Sequence, residues 1–166
     1  MNNYSLNHFE YAARKGSDRI QINNLLAAVC VGSVSILLTL KTEFSTKSLV
    51  LLQFAFSIPA LVSSSLAYAK VSYRKKAEYI IWDRLGWIFH SFGYILILNA
   101  IGLLLHGYGF IYPSLLFITF TVFVFVIYSC VDIFLDVSRW KEKLFKLFLY
   151  VLFIFCGFIL PLVLRW

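Results

Sequence analysis

Charge is what this chain has least of. Of its 166 residues 14% are Asp, Glu, Lys or Arg, against 61% hydrophobic, whereas soluble domains carry about 25% charged residues. So few charges cannot cover that much apolar side chain in a chain of this length. A soluble globular fold is therefore excluded, and a bilayer, in which helices keep apolar outer faces, is implied. The cysteines are sparse as well. Cys30, Cys130 and Cys156 stand apart, each inside or at the edge of an apolar run, with no CxxC pair. They read as small apolar packing residues and carry no information on redox compartment.

Catalytic signatures are missing too. The sequence contains no HExxH, GxSxG, P-loop or dinucleotide-binding glycine pattern. No two histidines stand at ligand spacing, so neither zinc nor haem has a home. No catalytic residue is assigned, no metal or cofactor is expected, and the chain is expected not to be an enzyme. There is no arginine row of the voltage-sensor kind and no TVGYG filter. No charge falls at the middle of an apolar run, which counts against an ion-coupled transporter. Internal repeats and low-complexity tracts are absent.

What the chain does have is five apolar runs of about the length a spanning helix needs. They lie near 21–40, 49–69, 85–105, 111–135 and 144–164, separated by short polar connections. The fold class expected is an all-α membrane protein, a five-transmembrane-helix bundle. Residues 21–166 form its single transmembrane domain, and residues 1–20 form a cytosolic N-terminal arm. Tyr4, His8, Tyr11 and Ala12 have helical spacing, which predicts a short interfacial helix in that arm. Gly16 is expected to end it, with Ser17 or Asp18 capping the first spanning helix. No secretory signal peptide is expected, because the apolar run starts late and no A-x-A site follows it.

The net charge of +7 orients the bundle. Of the 15 Lys and Arg, all but Lys41, Lys47 and Arg165 fall on the same side of the five runs as the N-terminus. The positive-inside rule then places the N-terminus in the cytosol and the C-terminus outside. Tyr68, Tyr73, Tyr79, Trp82, Trp87 and Trp140 mark the inner interface, and Tyr108, Tyr112 and Trp166 the outer one. This charge answers to anionic lipid headgroups, and no nucleic-acid partner is expected.

Polar residues inside the spans are the remaining signal, since hydrocarbon penalises them. An inner-leaflet set comprises Asn23, Asn24, Ser63, Ser64, His90, Ser91 and Asp132. It reads either as a cytosol-facing polar pocket or as interhelical hydrogen bonds already satisfied. His90 and Asp132 fall at similar depth, and Asp132, which shares a helix face with Asp136, is expected within reach of His90, Arg84 or a first-helix Asn. Further out, Gln53 and Asn99 are expected to pair across the second and third helices. Pro59 predicts a kink in the second helix, while Pro161, near the end of the fifth, is expected to be inert. Ala28 and Gly32, and Ala60 and Ser64, form small faces that permit close helix approach. The function expected is that of a non-enzymatic membrane subunit or scaffold working through helix–helix contacts. The alternative is a homo-oligomeric channel or small-solute carrier. The partners expected are the bilayer of a cell membrane, which the chain crosses several times, a second copy, or other membrane proteins.

Overall fold

The computed structural model describes residues 3–40, 46–71, 76–135 and 137–164, and among these every regular element is helical. Helix α1 spans Asn3–Thr39, α2 Lys47–Val71, α3 Lys76–Gly107, α4 Ile111–Leu135 and α5 Trp140–Ile154. A single 3-10 turn, Val137–Arg139, precedes α5, and a π turn, Phe155–Ile159, joins α5 to the short α6, Leu160–Val163. Five stretches are long and apolar enough to cross a membrane: Arg14–Thr39, Lys47–Val71, Tyr79–Gly107, Ile111–Leu135 and Trp140–Val163. They match the five runs in number and order. The fourth has the same ends as its run, whereas α1, α2, α3 and α5 begin earlier because each continues into the polar flank that precedes its run.

The largest such difference is in α1, which runs through Gly16 without a break. A glycine inside a helix costs only about 1 kcal/mol relative to alanine, less than the cost of abandoning the hydrogen bonds on either side. Among the described residues the glycine with a positive φ is Gly109, at +85°. It ends α3: Gly109 N–H donates to His106 O at 2.9 Å and Phe110 N–H to Leu105 O at 3.0 Å, the paired bonds of a Schellman cap. Pro59 lies inside α2, with its ring exposed. Asp136 lies outside the described residues.

The chain divides into two compact units. The first comprises Met1–Ile36 and Ala55–Tyr94. Close approach of α2 and α3 organises it. A Cβ at Gly86 would stand 3.1 Å from the Tyr68 ring, and one at Gly93 would stand 3.0 Å from Leu61. A side chain at either position would make its neighbour give by a few tenths of an ångström. Tyr68 and Val71 are buried there, with Ile20, Tyr79 and Trp82 packed against them. From α1, Asn23 and Cys30 are both fully buried and stand seven residues apart, the spacing of a coiled-coil seam.

The second unit comprises Leu37–Phe54 and Ile95–Trp166. Its core includes Val50, Leu103, Ile118, Ile154 and Phe158. Gly102 admits both Ile118 and Phe158, each of which would lie 2.9 Å from a Cβ placed there. Hydroxyls tie its helices through backbone carbonyls: Thr46 donates to Leu103 O at 3.2 Å and Ser114 to Gly102 O at 2.8 Å.

Candidate functional site

Two polar assemblies lie within the spans, one in each unit. In the first, Asn23 of α1 is the hub. Its amide nitrogen donates to Ser64 Oγ of α2 at 2.9 Å, and Ser64 donates in turn to Gly86 O of α3 at 2.7 Å. His90 Nδ1 lies 2.6 Å from Asn23 Oδ1. An amide oxygen can only accept, so Nδ1 carries the proton and Nε2 is the nitrogen left to face elsewhere. The imidazole stacks on Tyr94, one turn further along α3, at 6.2 Å between centroids and 5° between planes. Ser65 donates to Asn24 Oδ1 at 3.3 Å, and Ser57 to Cys30 Sγ at 3.0 Å.

Four of the seven residues of the inner-leaflet set are joined in these α1–α2–α3 bonds: Asn23, Asn24, Ser64 and His90. Ser63 is half-buried beside them, and Ser91 is buried. Asp132 belongs to the second unit, where its partner is Lys143. The ammonium stands 3.3 Å from Asp132 Oδ1 and also donates to the Asp132 main-chain oxygen. The connection between α4 and α5 is so short that the start of α5 lies beside the end of α4. A cation there meets both the carboxylate and the carbonyls of the helix C-terminus. Lys143 is 8% exposed, so this lysine, which the sequence pattern assigns to a loop, is a paired and largely desolvated one.

The hydrogen bonds around Asn23 have one direction. Protons point from His90 to Asn23, from Asn23 to Ser64, and from Ser64 to the carbonyl of Gly86. A backbone carbonyl cannot pass a proton on, so the chain of bonds ends there. It can brace three helices, but it is no relay.

The second assembly is built on the π turn. Gln53 of α2 donates its amide to Gly157 O at 2.6 Å, and Asn99 of α3 donates to Phe153 O at 3.0 Å. Both amides are buried, with Asn99 fully so. They converge on Gly157, where a Cβ would overlap Asn99 Nδ2 and stand 3.5 Å from Gln53 Nε2. The carbonyl oxygens of both amides have no hydrogen-bond partner, so the two residues do not bond to each other. Each reaches the backbone of the fifth span instead.

Pro161 explains why that backbone is available. In an uninterrupted α-helix the amide at 161 would donate to the carbonyl four residues earlier, at Gly157. Proline has no N–H, and its ring crowds that carbonyl. The helix widens by one residue, with Leu160 N–H bonding to Phe155 O, and Gly157 O accepts from Gln53. Pro161 is thus not inert, contrary to the expectation from its position near the helix end. The missed signal was the Gly157–Pro161 spacing, which leaves one identifiable carbonyl without a donor. A second missed pattern is the run of small residues Gly86, Gly93 and Ala100 at intervals of seven along α3, all buried.

Among the described residues no group of His, Cys, Asp and Glu could hold a metal ion. The chain matches no family model, no curated protein and no solved structure.

Proposed function

We propose that the chain is a multi-pass integral membrane protein, with its N-terminus cytosolic and its C-terminus outside. It acts without catalysis, as a membrane subunit that binds a second copy or another membrane protein through helix–helix contacts. The observation that carries this reading is the fate of the two small faces. Ala60 and Ser64 on α2 are buried within the chain, whereas Ala28 and Gly32 on α1 are exposed, and a Cβ at Gly32 would meet nothing within 4 Å. Small-xxx-small faces let helices approach closely in lipid, and among the described residues no helix packs on this one. The polar residues in the spans support the same reading, because most are engaged in bonds that brace the chain's own helices.

The test is self-association in liposomes, read by energy transfer between labelled copies. The wild type associates as its density rises, and Gly32→Leu weakens that association while leaving the melting temperature in place. Labelled copies that stay monomeric at every density would remove the self-associating form of the proposal.

A channel or small-solute carrier is the second reading, and one observation favours it. Gln53 Oε1 and Asn99 Oδ1 are buried without a partner, and such oxygens are suited to water or a polar solute. Flux of small solutes through reconstituted protein, lost on substituting Gln53 and Asn99, would favour that reading over the first.

A further inference from the structure

We propose that α1, between Arg14 and Val29, carries a site for an anionic phospholipid, its phosphate held by Arg14, Lys15 and Arg19 and its acyl chain lying on Ile22, Leu25 and Val29. The proposal rests on the reading of the chain as a membrane protein and goes beyond it, to one ligand class at one place.

A cleft of about 410 Å³ lies against this stretch, lined by Arg14, Lys15, Asp18, Arg19 and Ile22. These residues stand at helical spacing, so they present one face of α1. Three of the five are cations and one is an acid, which leaves a positive site. Asp83 of α3 shares Lys15 at 3.2 Å, fixing that ammonium at the edge of the cleft. A lipid phosphate accepts the forked donors of arginine in bidentate geometry.

What separates a lipid from a free phosphate is the surface that continues from the cleft. Ile22, Leu25 and Val29 are 47%, 67% and 51% exposed. They stand three and seven residues on from Ile22, so they extend the same helix face into the apolar stretch of the span. Arg14, Lys15 and Arg19 come just before the apolar run that begins near residue 21, and in the membrane reading basic residues at that place lie at headgroup level with the aliphatic strip directly below. A soluble anion would use the cations and leave the strip idle, whereas a phospholipid matches both parts.

The experiment uses the full chain in detergent micelles, with retained lipid read by native mass spectrometry. Phosphatidylglycerol and phosphatidylcholine are offered together, and inorganic phosphate is added in a separate arm. The wild type retains phosphatidylglycerol in preference. Removing a cation near an anionic headgroup weakens binding about fivefold, so Arg14→Gln with Arg19→Gln together lower affinity roughly 25-fold. Asp18→Asn removes the acid from the cleft and raises affinity, an outcome that misfolding cannot imitate. Lys141→Gln, which removes a cation outside the cleft, leaves retention unchanged.

Equal retention of the two lipids, or a loss in Lys141→Gln as large as in the cleft variants, would overturn the site. Displacement of phosphatidylglycerol by equimolar inorganic phosphate would overturn its assignment to a lipid. Alkaline extraction of the chain from vesicles separates the two levels. A chain that fails to insert overturns the membrane reading itself, while an inserted chain without lipid preference overturns the cleft alone.

Discussion

At the scale of single residues, Gly157 is the position where one added methyl has the clearest consequence. A Cβ there would overlap Asn99 Nδ2, and Asn99 is fully buried, so its amide has nowhere to retreat. Gly157→Ala is expected to destabilise the protein by about 1–3 kcal/mol, the range for overpacking a filled site, measured by thermal unfolding in detergent. In an Asn99→Ala background the overlapping group is gone and the penalty should largely vanish. A cycle showing simple additivity would mean that the two residues are not in contact. That Asn99 and Gln53 are buried was legible in the sequence, because an amide in the middle of an apolar run must find a partner or water. Their partners were not legible. Backbone carbonyls are present at every position, and residue types alone do not say which one lacks a donor. For His90 and Asp132, too, the residue types name no partner. His90 bonds to Asn23, and Asp132 pairs with Lys143.

At the scale of elements, the five helices were readable because apolar length is a property of sequence alone. Their ends were less so, since a polar flank can extend a helix without interrupting its hydrogen bonds, as α1 does through Gly16. The π turn is a different matter. It goes with Pro161 removing a donor and with Gln53, far away in sequence, donating to the freed Gly157 carbonyl. That dependence can be tested by restoring the donor. Pro161→Ala supplies an N–H at 161 that can bond to Gly157 O, so the Gln53 amide becomes redundant. Gln53→Met removes the donating nitrogen together with the unpartnered oxygen. Interhelical side-chain bonds in membranes average about 0.6 kcal/mol, while a buried acceptor left unpaired costs about 1–3 kcal/mol. If the site is dry, Gln53→Met exchanges one unpaired oxygen, Oε1, for another, Gly157 O, and should be near neutral in the wild type. Adding it to Pro161→Ala should stabilise, because there the bond it removes has already been replaced. A loss of more than about 2 kcal/mol on Gln53→Met alone would mean that Oε1 holds a water, as the channel reading requires.

At the scale of the whole molecule, the prediction is the sidedness of the chain. The charge asymmetry is strong enough that no single loop decides it. Lys41, Lys47 and Arg165 stand alone on one side, against basic residues at 14–19, 70–84 and 139–146 on the other. Not all of those are free in solution: Lys15 pairs with Asp83 and Lys143 with Asp132. The positive-inside rule counts Lys and Arg in short loops near the span ends, with acidic residues contributing little, so these pairings leave the bias standing. Five helices are long and apolar enough to cross, and five crossings would put the N-terminal and C-terminal sides on opposite faces. Reporter domains fused at each end should report a cytosolic N-terminus and an external C-terminus. Neutralising Lys70, Lys76 and Arg84 together should leave that result unchanged, because the arm and the fourth connection still carry the bias. Two reporters on the same face would mean that one of the five helices does not cross. The fifth would then be the first to question, since 11% of its most apolar stretch is buried and a proline and a π turn interrupt it near its end.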